Sequence, residues 1–138
     1  MTVFTVDAAV IADGATFNSI QAAVNAAVSG DRIEVVAGTY VENVNISTSG
    51  LTLVSTGGRD VTIINGIAGV GALGAIVLGN GANDVTIGGA GAGFTINGID
   101  NDNPAVENAA VYLQGAHDNI TIQGNDIVAN GDAGLMSE

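Results

Sequence analysis

The densest run of hard oxygen donors in the chain is Asp100-Asn101-Asp102-Asn103-Pro104, with Glu107 close behind. Carboxylate and amide oxygens gathered in one segment suit Ca²⁺, which takes roughly six to eight oxygen ligands. Asp100, Asp102 and Glu107 are therefore the candidate metal ligands, and Ca²⁺ the candidate cofactor. The run is not an EF-hand, because the Gly and the terminal Glu of that loop are missing. The alternative is a solvated, Asx-rich turn, which the same residue types build without a metal. Asp126 and Asp132 follow about one repeat later as further candidate ligands.

Acid–base chemistry has few candidates. The cations are Arg32 and Arg59, and the single histidine is His117. A general base that works near neutral pH would have to be His117 or a carboxylate. Ala116-His117-Asp118 aligns with Ala82-Asn83-Asp84, which puts His117 where Asn83 stands and reads as an exposed turn. Gly69-Val70-Gly71-Ala72-Leu73-Gly74 fits G-x-G-x-x-G, but a dinucleotide site needs a helix next, and Ala75-Ile76-Val77-Leu78 reads as a strand. Gly88 to Phe94 nearly matches a calcium-binding nonapeptide repeat, yet Gly93 stands where the ligand Asp belongs. Thr52, Thr86 and Thr121 fall in one column, and Thr62 and Thr95 in another, each expected to point outward. A stacked threonine face can bind ice or sugar, and ordinary strand propensity produces the same pattern. No catalytic and no cofactor-binding residue is assigned, and the chain is expected not to be an enzyme.

These residues need a scaffold, and the repeats describe one. Ile33-Glu34-Val35-Val36 recurs as Val61-Thr62-Ile63-Ile64, Phe94-Thr95-Ile96-Asn97 and Ile127-Val128. Val44-Asn45-Ile46 recurs as Ile76-Val77-Leu78, Val111-Tyr112-Leu113 and Gly134-Leu135-Met136. Leu51-Thr52-Leu53 recurs as Val85-Thr86-Ile87 and Ile120-Thr121-Ile122. The period of about 30 residues is that of a solenoid. Apolar–x–apolar triplets separated by Gly, Asn and Asp are short strands joined by tight turns. Three strands per turn in three columns predict an all-β, right-handed parallel β-helix of about three rungs plus a partial fourth.

Residues 1–30 are expected to form an N-terminal cap and 31–138 the rungs of a single domain. The cap holds the Asp13-Gly14 turn and one helix over about residues 18–29, started by Asn18 or Ser19. Ile20, Ala23, Val24, Ala27 and Val28 make one apolar face, and Gly30 is placed to end the helix. Such a helix covers the apolar cross-section of the first rung. The longest insertions, residues 67–74 and 99–109, fall between the first and second columns, and insertions on one side of a solenoid often build its binding face. No C-terminal cap is visible, so the last rung is expected to present apolar side chains and open strand edges.

Composition narrows the partners. The 138 residues carry a net charge of −12 with no lysine, so phosphate backbones and anionic membranes are repelled. Neither nucleic-acid binding nor membrane insertion is expected. Apolar residues make up 47% but aromatics only 4%, so flat aliphatic layers must fill the interior. There is no cysteine, hence no disulfide framework. With Gly, Asn, Asp and Thr richness, this composition is similar to that of bacterial secreted and surface proteins. Met1 to Val6 does not read as a signal peptide, which leaves a removed segment, a longer parent chain or another export signal.

Asp13-Gly14 through Phe17, Ser19-Ile20-Gln21-Ala22-Ala23-Val24, Gly30-Asp31-Arg32-Ile33-Glu34-Val35 and Ala37-Gly38-Thr39-Tyr40-Val41-Glu42-Asn43-Val44 resemble the entry of the pectin-lyase-like superfamily. Ala110-Val111-Tyr112-Leu113 and Ile120 to Ile127 are similar to its generic rung. The resemblance implies the β-helix fold and leaves the activity open, because the superfamily hosts lyases, esterases, epimerases and non-catalytic fibres. Its lyases imply acidic Ca²⁺ ligands and a basic residue, and its esterases a Gln-Asp pair. Gln114 is followed by no such Asp, and Arg32 and Arg59 lie in no family motif. The expected function is a non-catalytic extracellular or cell-surface module, structural or adhesive, such as a surface fibre subunit that stacks end to end by self-association through the open solenoid end. The alternatives are the N-terminal part of a polysaccharide-active lyase or epimerase, and a calcium-dependent carbohydrate-binding module.

Overall fold

A computed structural model describes residues 1–9, 16–100 and 105–138. The Asp13-Gly14 turn and the stretch from Asn101 to Pro104 lie outside the described residues. The described chain is a right-handed parallel β-helix built from three parallel sheets and one short helix.

Counted from the third strand, twelve strands make four rungs. The first rung is β3 (Arg32–Val35), β4 (Gly38–Val41) and β5 (Val44–Ile46). The second is β6 (Thr52–Ser55), β7 (Thr62–Asn65) and β8 (Gly74–Leu78). The third is β9 (Thr86–Gly88), β10 (Thr95–Asn97) and β11 (Ala109–Leu113), and the fourth β12 (Thr121–Gln123), β13 (Asp126–Val128) and β14 (Ala133–Ser137). Ahead of them lie β1 (Val3–Val6), β2 (Thr16–Phe17) and α1 (Ile20–Ala26). Sheet A runs β12-β9-β6-β3-β1-β2, sheet B β13-β10-β7-β4, and sheet C β14-β11-β8-β5.

Register explains the aliphatic composition. Ile33 lies on Leu53 and Leu53 on Ile87, which lies on Ile122. Tyr40, Ile64, Ile96 and Ile127 stack in sheet B, and Val44, Ile76, Val111 and Leu135 in sheet C. Side chains alternate faces along a strand, so each ladder runs inward as one apolar column. Fully burying a side chain of this size contributes about 1.5–3 kcal/mol. Every member of these columns is buried through the third rung, whereas Leu135 in the fourth is 53% exposed.

Three details differ from the sequence reading. Ile33 to Val35 pairs with β6 in sheet A, and Gly38–Val41 takes the sheet B position that the repeats gave to Ile33. In the sequence Gly38-Thr39-Tyr40 reads as a turn between the first two strands, and Tyr40 breaks a column that is otherwise isoleucine. Thr62 pairs with Gly38 and Thr95 with Ile63, so the two threonines are one residue out of step. A one-residue slip reverses the face; Thr62 is therefore buried inside, not stacked outside. Leu135, not Gly134, stands under Val111. The column of Thr52, Thr86 and Thr121 is as expected.

The helix is shorter than its apolar pattern. Ser19 caps it, its hydroxyl accepting from Ala22 N–H, and the Glu42 carboxylate accepts from Ile20 and Gln21 N–H at 3.1 and 2.8 Å. A carboxylate there also suits the positive end of the helix dipole. Ile20, Ala23, Val24 and Ala27 are buried against β1, β2, β3 and β5, but the backbone turns extended at Ala27, and Val28 swings out to 65% exposure. Gly30 is left-handed (φ 93°), three residues past that cap, where its N–H joins Gly50 O.

Candidate functional site

Between sheets B and C lie insertions, residues 66–73 and 98–108, and their described residues 67–73 and 105–107 stand beside the outer face of sheet C. That face would otherwise meet water. Under the insertions it has a second apolar cluster, Val77, Ala109 and Tyr112 with Leu73, Ala133 and Met136. The result is a groove of two joined recesses, each about 390 Å³. Asn43, Asn45, Ile67 and Val77 line the first, and Glu107, Tyr112 and Glu138 the second. Leu73 and Gln114 belong to both.

The groove walls are held by side-chain amides that act as short pieces of backbone. Asn43 Nδ2 donates to Ile67 O (2.8 Å), and Asn43 Oδ1 accepts from Ile67 N–H (2.7 Å), fixing the start of the first insertion. The second insertion is closed by Asp132, whose carboxylate accepts from Asn108 N–H at 3.0 Å. In return Asp132 N–H donates to Asn108 Oδ1 at 3.4 Å. Sequence reasoning missed both clamps, since a bidentate contact across a rung leaves no local pattern.

Within the second recess Tyr112 is buried beside the Glu138 and Glu107 side chains. Burial, then the neighbouring Glu138 and Glu107 carboxylates, push the phenol above its ordinary value. The groove thus offers a neutral phenol, the exposed Gln114 amide and two carboxylates over an apolar floor. Such a lining suits a polyhydroxyl ligand that presents polar edges and an apolar face.

The candidate metal ligands are spread along the second insertion. Asp100 is exposed where it begins, Glu107 is exposed at the groove near its end, and Asp102 lies outside the described residues. Among the described residues no three His, Cys, Asp or Glu side chains stand close enough to hold one ion. Asp126 is exposed on β13.

His117 sits at the corner from sheet C to sheet A. Gly50, Asp84 and Asn119 take the same left-handed backbone there, at φ 75°, 55° and 57°. Asp118 N–H donates to Asn83 Oδ1 and Asn119 Nδ2 to Asp84 Oδ1, so Asp118, not His117, stands over Asn83. His117 Nδ1 lies 2.7 Å from Ala82 O and Nε2 3.1 Å from Gln114 O. Both ring nitrogens face acceptors, and a neutral imidazole can donate to only one of them. The ring is a tie between rungs.

Arg32 pairs with Glu34 on the surface at 3.3 Å. Arg59 lines a separate recess of about 490 Å³ with the corner glycines Gly58, Gly91 and Gly124. Close approach requires the glycines beside it: a Cβ on Gly93 would lie 1.9 Å from Gly124 O. The nonapeptide-like segment is therefore a packed turn. The G-x-G-x-x-G segment leads into strand β8, as expected for a loop.

Among the described residues no helix is long and apolar enough to cross a membrane. A scan against protein-family models finds no match to the chain, and a search among curated proteins likewise finds none.

Proposed function

We propose that the chain is a non-catalytic structural or adhesive module of the cell surface, associating through its fourth rung. The observation that carries this reading is the contrast between the two ends of the solenoid. At the N-terminal end, sheet A continues into β1 and β2, and the edge of β5 is covered by α1. At the other end β12, β13 and β14 have no strand beyond them among the described residues, and Leu135 and Val128 are exposed. Open edges of this kind are templates for further pairing.

Because the first rung is covered at sheets A and C, a second copy meets the open rung with its own. The product is an isologous pair with antiparallel strands at the junction, not the fibre that head-to-tail stacking would give. Light-scattering mass across a concentration series tests this. The expected result is a mass rising to that of a pair and returned to one chain by Leu135→Glu. A single-chain mass at every concentration overturns it.

The groove on sheet C favours a second reading, saccharide binding without turnover. Its support is the amide, phenol and carboxylate lining over Val77 and Leu73. Titration with neutral and acidic oligosaccharides, in Ca²⁺ and in chelator, tests it. Binding that Gln114→Ala removes supports the groove, and no heat with either class of sugar removes the reading.

A further inference from the structure

Four Asn-Gly dipeptides occur in the chain: Asn65-Gly66, Asn80-Gly81, Asn97-Gly98 and Asn130-Gly131. Such a dipeptide can react with itself. The glycine nitrogen attacks the asparagine side-chain carbonyl carbon, forming a C–N bond and closing a succinimide ring. The bond from that carbon to the side-chain nitrogen breaks, and ammonia leaves with the proton lost from the glycine N–H. One water then opens the ring at either carbonyl, giving aspartate or isoaspartate. No electron transfer is involved. Glycine favours the attack because no side chain shields its nitrogen.

The fold treats the four sites differently. Asn97 Nδ2 donates to Asn65 Oδ1 at 2.6 Å, so these two amides hold each other. The attacking nitrogens are also engaged, since Gly66 N–H donates to Asn97 O (3.0 Å) and Gly98 N–H to Val128 O (2.8 Å). Attack at either site would require breaking the ladder between rungs. Asn130 Nδ2 donates to Gly98 O (2.9 Å), and Gly131 is crowded by Asn108 and Ile99 O.

Asn80 has none of these restraints. It is exposed, and among the described residues neither its amide nor the Gly81 N–H makes a hydrogen bond. Gly81 is left-handed (φ 84°), and a Cβ built on it would meet nothing within 4 Å. The Asn80 side chain leans over Gly115, the residue in the corner one rung on.

We propose that Asn80 is a self-modification site of the folded protein, converting through a succinimide to aspartate and isoaspartate. The co-reactant is water, and the product adds one negative charge at an exposed corner. The fold selects this site from four identical dipeptides, because the other three are held by contacts between rungs.

The test is peptide mapping of the full chain after incubation at mildly alkaline pH, with isoaspartate read by enzymatic carboxyl methylation. The same incubation is run in urea. In the folded protein Asn80 is expected to convert more than about tenfold faster than Asn65 or Asn97, which must wait for local opening. Urea should bring the four rates together, and Asn80→Gln should remove most of the methyl-accepting signal from the folded protein. Conversion of Asn65 or Asn97 as fast as Asn80 in the folded state would overturn the proposal. So would an Asn80 that stays intact when folded yet converts in urea.

Discussion

Thr62 is a buried polar group that the core does not satisfy. Its side chain points inward from β7 at 0% exposure, and among the described residues its hydroxyl has no hydrogen-bond partner. Leaving a buried hydroxyl unpaired has a desolvation cost, and an apolar side chain of the same shape avoids it. Thr62→Val is therefore expected to stabilise the fold by roughly 1 kcal/mol in chemical denaturation. A loss of stability would mean that the hydroxyl finds a partner in solution. Asp31 shows the opposite case. Its buried carboxylate accepts from Val28 N–H and Thr2 N–H at 2.9 and 2.8 Å, and these bonds hold its pKa below the ordinary value of 3.8. The stabilisation is present above the unfolded-state pKa and is lost as pH falls through the lowered folded value. Asp31→Asn should lower stability at neutral pH and flatten its acid limb, measured as urea midpoints across a pH series below about 5. Little of this was legible in the sequence. Thr62 and Thr95 look equivalent until the register is known, and the partners of Asp31 lie on two separate segments.

Among the elements, α1 covers the first rung with a specific polar contact as well as an apolar face. Gln21 Nε2 donates to Asn45 O at 3.1 Å, and Gln21 Oε1 accepts from Asn45 N–H at 2.6 Å. One amide side chain thus satisfies both groups that a neighbouring strand would have taken from Asn45. Asn125 makes a similar bridge, accepting from Phe94 N–H and donating to Ile87 O, both at 2.9 Å. Gln21→Ala removes both bonds to Asn45 and a third, from Nε2 to Asn25 Oδ1 at 2.9 Å, and uncovers the edge of β5. The expected cost is about 1–2 kcal/mol in thermal or urea unfolding, with faster amide exchange at Asn45. Unchanged exchange would show that the edge is covered by something else. The helix itself was legible from its apolar spacing. Its C-terminal limit was not, because Val28 continues the spacing while the backbone has already turned.

For the whole molecule, the architecture was legible and the candidate site was not. Period-2 triplets recurring about every 30 residues identify a three-column solenoid without any knowledge of contacts. The column of Thr52, Thr86 and Thr121 was right to the residue, whereas β4 was missed because Gly38-Thr39 reads as a turn. The groove is made by insertions, which obey no repeat, so their position was predictable but their lining was not. Charge acts at this scale too. With a net charge of −12 and Asp126, Asp132 and Glu138 all on or beside the fourth rung, two open ends repel one another at low ionic strength. Added salt screens that repulsion. The paired mass should therefore grow with salt at fixed protein concentration, and a mass that falls with salt would mean that the contact is ionic rather than apolar.

The covered end of the solenoid is also the end that leaves the ribosome first. β1, α1 and the strands they lie on fall within residues 1–46, as do the Gln21–Asn45 and Glu42 contacts. Each closes over a short loop, so the foundation can form while the later rungs are still being synthesised. Every following rung then meets a finished edge one layer back, which sets its register as it arrives. Assembly in that order runs one way along the axis, like masonry laid on a set course.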